Sequence, residues 1–187
     1  MMRILILFFF FFGIFAILAI TGFYPVALVD GAPIFYRTWK KAENAAIRFV
    51  NASAKASGGT SIDFSRQENA ELLLSVKRDT LSFLIEDKII SVAGERVWGD
   101  FAVRAKQEVE AAFRKNPGVL EGGKAVYNLD RDDFLKLIFM PQARKDVLTE
   151  TFRARGQNYE EWLRLAKKSA SVRLYFVPFK WTGERVE

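Results

Sequence analysis

Val26-Ala27-Leu28-Val29-Asp30-Gly31-Ala32-Pro33-Ile34 is the stretch that decides the fold. An apolar run, an Asp-Gly pair and a brief return spell two short strands joined by a two-residue turn, because Asp-Gly supplies the positive φ values such a turn requires. A hairpin this small is not stable alone in water. It needs a third strand, and the suitable partner stands at the far end of the chain: Val172-Arg173-Leu174-Tyr175-Phe176-Val177, closed by Pro178. There Val172, Leu174 and Phe176 share one face, and Arg173 and Tyr175 the other. The two ends are therefore expected to meet in one small sheet, making everything between them a closed unit.

Between the strands the apolar spacing is helical. A first helix is expected from about Phe35 to Lys55, with Trp39, Ala42, Ala46, Phe49 and Val50 on its inner face. Ser57-Gly58-Gly59-Thr60-Ser61 reads as a loop. A long second helix covers about Arg66 to Val92, striped by Leu74, Leu81, Ile85, Ile89 and Val92. Leu73, Leu84 and Ile90 widen that stripe, as a central helix with several neighbours requires. Asp100 is placed to cap a third helix through Arg114 that turns Phe101, Ala105, Val109, Ala112 and Phe113 inward. Asn116-Pro117-Gly118 ends it and opens a long connection to residue 130. Asp130 caps a fourth helix with Phe134, Leu137 and Ile138, and Pro141 starts or kinks the next, which holds Val147, Leu148 and Phe152 and stops at Gly156. Asn158 followed by Glu161 approximates a capping box and opens a last helix through about Ser169. The fold class is thus mainly α, with residues 25–178 as a multi-helix domain carrying a small sheet, and 179–187 as a C-terminal tail.

Ahead of this domain lies Ile4 to Ile20, ILILFFFFFGIFAILAI, without a charge. As a helix it would span about 26 Å, and through Tyr24 about 30 Å, enough to cross a bilayer core. Pro25 stops it. Residues 1–24 are read as an uncleaved transmembrane anchor, contacting the lipid bilayer through 4–24; a cleaved signal is the alternative, although Ala19-Ile20-Thr21 is a poor cleavage site. Charge does not orient the anchor. Arg3 marks the amino-terminal side weakly, whereas Arg37, Lys40 and Lys41 follow closely, although long domains translocate largely regardless of such charges.

Composition narrows the function classes. The chain has no cysteine and no histidine. That removes disulfides, thiolate nucleophiles, Ser–His catalysis and the commonest transition-metal ligands. The net charge of +6 comes from 28 basic and 22 acidic residues, interleaved, with no basic run longer than two. A nucleic-acid-binding stripe needs clustering that this pattern lacks.

The packing motifs resemble the N-terminal chaperone domain of SurA-like foldases, relatives of the parvulin isomerases. VALVDGAPI is similar to that family's strand, turn and Ile before the first helix, and LSFLIEDKII to its central helix. DRDDFLKLIFMPQARKDVLTETF and YEEWLRLAKKSASVRLYFV resemble its closing helices and return strand. The likeness covers most of residues 25 to 177. Isomerising members carry an additional parvulin domain with histidines in its site, whereas here only Pro178 to Glu187 follow the last strand. The resemblance therefore implies an extracytoplasmic chaperone that holds unfolded or extended polypeptides without isomerising them. A non-catalytic membrane-side scaffold docking one dedicated partner is the alternative, and the oligomeric state stays open.

Candidate chemistry is sparse. Gly118 to Lys124 matches a phosphate-binding loop as far as the lysine, but Ala125 stands where Ser or Thr would hold magnesium, and a helix precedes it instead of a strand. It reads as a structural linker. Asp130, Asp132 and Asp133 lack the glycine and distal glutamate of a calcium loop and suit a helix start. Ser75 and Ser82 lie near lysines, but on a helix expected to pack a core. Asn51-Ala52-Ser53 fits a glycosylation acceptor by chance spacing. No catalytic residue, metal ligand or cofactor site is assigned. Peptide binding would use adaptable apolar side chains near element ends, and Trp98, Phe113, Tyr127, Phe139 and Met140 are the candidates.

Overall fold

The structure, a computed structural model, describes residues 20–187. The expected membrane helix therefore lies, up to residue 19, outside the described residues. No helix among the described residues is long and apolar enough to cross a membrane.

β1 (Pro25–Val29) and β2 (Ala32–Phe35) form the expected hairpin, and Asp30 and Gly31 take φ values of 49° and 83° at its turn. β3 (Val172–Leu174) pairs antiparallel with β1 on its other side, giving the order β2-β1-β3. The register slips between Pro25 and Ala27, a bulge that leaves both Val26 and Ala27 buried. Asp30 does more than turn the chain. Its backbone N–H donates to the Ser171 carbonyl (2.9 Å), its carboxylate accepts from Ser171 N–H (2.8 Å), and its other oxygen meets Arg96 (3.0 Å). β3 is shorter than its apolar alternation suggests. After Tyr175 donates to the Val26 carbonyl, Phe176 adopts φ 57° and leaves the sheet, so it does not share a face with Val172 and Leu174.

The helices follow as α1 (Tyr36–Ala56), α2 (Ala70–Val97, after a 3-10 turn at Gln67–Asn69), α3 (Phe101–Lys115) and α4 (Val119–Tyr127). α5 (Arg131–Phe134), a π turn (Leu135–Phe139) and α6 (Met140–Ala154) run on continuously before α7 (Tyr159–Ser169). α2 is the central helix: Leu81, Ile85 and Ile89 are buried, and it touches the sheet, α1, α3, α6 and α7. Its stripe stops at the N-terminal end, where Leu74 is 48% exposed. Asn51 pins the loop after α1 by exchanging two hydrogen bonds with the Ile62 backbone (2.7 and 3.3 Å), which gives this side chain a structural task.

Three local expectations need correction, and a fourth is refined. The connection 116–130 is not a loop: residues Val119–Tyr127 are α4, and the Gly122-Gly123 pair hides a helix face that packs on α5. Asp100 occupies the N-cap position of α3 without a side-chain cap bond; Glu95, from the last turns of α2, accepts from Ala102 N–H instead (2.8 Å). Pro141 does stand in the first turn of α6, as expected, although α6 runs on from the π turn without a break. Lacking an N–H, it cannot bond the Leu137 carbonyl, and the chain widens into the π turn, where Met140 N–H donates to Leu135. Finally, residues 179–187 are no loose tail. Trp181 bridges Val186, Lys180 and Glu187 exchange backbone bonds, and Val186 is buried in the main core beside Phe179 and Trp181.

That main core lies between the sheet, α1, α2 and the α5–π segment. A second core gathers Trp98, Phe152, Tyr159, Trp162 and Leu163 at the α6–α7 end. There burial, with Glu86 nearby, pushes the Tyr159 hydroxyl well above its ordinary range and keeps it neutral.

Candidate functional site

α1 and α2 pack where small side chains meet, and that choice leaves a trough. Ala42, Ala45 and Ala46 on α1 face Thr80 on α2, so the helices approach without filling the space above them. The Thr80 hydroxyl donates to the Val76 carbonyl (2.5 Å) of its own helix, which removes its polarity from the trough. Leu137 and Ile138 of the π turn close one end. The resulting apolar groove has a volume of about 470 Å³.

Its walls are aromatic. Phe49 and Phe83 are each 45% exposed, and Phe49 stacks on Tyr127 with ring centroids 5.5 Å apart and planes within 6°. Asp79 is the charged residue at the mouth, held by Arg78 (3.2 Å) and Ser75 (3.1 Å). Leu72, exposed, stands a helical repeat before Val76 and Phe83 and prolongs the apolar line along α2. A concave apolar surface with large rings at the rim can bury apolar side chains at about 1.5–3 kcal/mol each.

The five nominated side chains do not converge. Tyr127 is in the groove wall. Phe113 and Phe139 stack on each other, centroids 4.8 Å apart, and with Met140 tie α3 to the helix after the π turn. Trp98 lies in the second core against Phe152 and Trp162, with Arg155 over its ring at 5.4 Å. All four are partly buried packing residues, because the ends of elements in this fold are where neighbouring helices cross. Phe49 and Phe83, which line the groove with Tyr127, were not among the five. Phe83 falls off the buried stripe of its helix, between Leu81 and Leu84, and an off-stripe Phe is a legible signal. Phe49 belongs to the inner stripe of α1, but the alanines beside it are too small to bring a covering element.

The remaining candidates resolve into structure. Ser75 bonds Asp79 and accepts from Arg78, while Ser82 accepts from the Val186 N–H (3.2 Å). Asp130 is the N-cap of α5, accepting from Asp133 N–H (2.8 Å), which holds its carboxyl below the ordinary range. Asp133 is ion-paired with Lys41. Among the described residues no group of three or more acidic side chains is placed to hold a metal ion.

No protein-family model, curated protein or solved structure matches this chain.

Proposed function

We propose that this chain is a membrane-tethered holdase that captures extended apolar segments of other polypeptides in the α1–α2 groove. The alanine-floored groove rimmed by Phe49 and Phe83 carries the reading: it is open, apolar and concave, as promiscuous capture requires. The motif resemblance to the SurA-like chaperone domain supports the same reading and suggests an extracytoplasmic setting. The uncharged run Ile4–Ile20 would supply the tether and raise the local concentration of the groove at the membrane. No isomerase step is assigned, since the chain has no histidine.

The test is aggregation of an unfolded model protein, followed by light scattering, with the full chain in nanodiscs. Suppression at near-stoichiometric amounts, without faster prolyl isomerisation, is expected. Phe49→Ser with Phe83→Ser, both at exposed positions, should abolish it while leaving the melting temperature nearly unchanged. A folded wild-type chain that suppresses nothing would replace this reading with that of a scaffold for one dedicated partner.

A further inference from the structure

The chain enters the fold without a linker. Gly22, at φ 69°, accepts from Arg37 N–H (3.0 Å), and Tyr24 accepts from Tyr36 N–H (2.9 Å). Two of the unpaired donors at the start of α1 are thus satisfied by the incoming segment. Residues 22–24, first assigned to the anchor, belong to the domain, and only Thr21 separates Gly22 from the end of the apolar run at Ile20. Any surface around this entry point is held within a residue or two of wherever that run is embedded.

That surface is aromatic and exposed. Phe23 is 48% exposed and packs edge-on to Phe35, with the Arg37 guanidinium 5.5 Å over its ring. Tyr24 stacks on Tyr36 (5.1 Å) and meets Phe176 edge-on (6.0 Å). Phe176 is 81% exposed even though it sits at φ 57°, a conformation that disfavours a bulky side chain. Backbone strain spent to hold a phenyl ring in the open points to something that covers it. The nearby charge suited to anionic headgroups is Arg37, over the Phe23 ring, since Asp30 is engaged by Arg96 and Lys40 and Lys41 are paired with Glu43 and Asp133.

We infer that Phe23, Tyr24, Phe176 and Arg37 form a docking surface for the lipid headgroup region, which lays the domain against the bilayer its own apolar run would enter. The inference rests on the tether reading and is independent of the groove. Aromatic rings with a polar or cationic neighbour are what membrane interfaces favour. A cysteine-free chain allows a direct test by single nitroxide labels. Full-length Phe23→Cys, Phe176→Cys, Val103→Cys and Ala16→Cys variants would be labelled in vesicles of phosphatidylcholine and phosphatidylglycerol. Collision with oxygen, which partitions into lipid, is compared with collision with a water-soluble nickel complex. Labels at 23 and 176 should read as interfacial, with severalfold higher oxygen-to-nickel ratios than at Val103, an exposed position on α3. A label at 16 in lipid with 23 and 176 as wet as 103 would overturn the docking surface and leave the tether standing. All four labels in water would remove the tether, and the docking surface with it.

Discussion

Gly123 shows how a single residue carries a helix contact. A Cβ built there would lie 2.1 Å from the Phe134 ring, whereas one on Gly122 would meet nothing within 4 Å. The two glycines are neighbours in the same helix, so propensity favours alanine equally at both, by about 1 kcal/mol. Gly122→Ala is therefore expected to stabilise the protein by up to about 1 kcal/mol, and Gly123→Ala to destabilise it by about 1–3 kcal/mol through overpacking. Urea denaturation of the pair measures both. Equal effects of the same sign would mean that α4 does not rest on Phe134. Asp30 and Asn51 teach the same lesson: each reads in sequence as a turn or a chance motif, yet each bonds backbone groups that only the fold brings near.

Between elements, charge placement matters more than charge count. Arg144 of α6 reaches Asp87 of α2, its Nη1 lying 2.7 Å from both carboxylate oxygens, and Lys167 of α7 pairs with Glu86. Burial pushes the Asp87 carboxyl above its usual range, outweighing the attraction of Arg144 that opposes it. An acid with a raised folded pKa holds its proton more tightly when folded. Its contribution to stability is thus fullest at low pH and declines as pH rises from the unfolded value through the folded one. Arg144→Ala leaves that carboxylate without its partner and should cost on the order of 3 kcal/mol at pH 7. Acidification toward the carboxylate range should recover part of the loss. Chemical denaturation of wild type and variant at pH 7 and pH 5 decides it; an equal penalty at both would mean that Asp87 stays solvated.

For the molecule as a whole, the last nine residues close the structure. Phe179 and Trp181 pack on the main core and Val186 is 1% exposed within it, so deleting 179–187 opens the core beside α2. At about 1.5–3 kcal/mol per buried large side chain the loss is comparable with the entire stability of a small domain. The truncated chain is expected to melt far lower or to remain unfolded by circular dichroism. An unchanged melting temperature would show that the fold-back of 179–187 is dispensable. The groove belongs to this scale too, since it exists because α1, α2 and the π turn meet around alanines instead of around large side chains.

Much of this architecture was legible in order. The Asp-Gly hairpin, the return strand, the central helix around Leu81, Ile85 and Ile89, the stop at Gly156 and the Asn158 cap all follow from local rules: turn geometry, apolar period and capping chemistry act within a few residues. α4, the fold-back of 179–187, the Glu95 cap and the exposed state of Phe49 and Phe176 were not legible. Whether an aromatic ring is core or surface depends on what lies opposite, and a glycine pair is a loop or a helix contact depending on whether a Phe134 stands against it. The sequence by itself determined those elements whose causes are near neighbours along the chain, which leaves out α4. Only the tertiary structure decided which apolar side chains were left uncovered, because burial is a property of the partner across the gap and not of the residue.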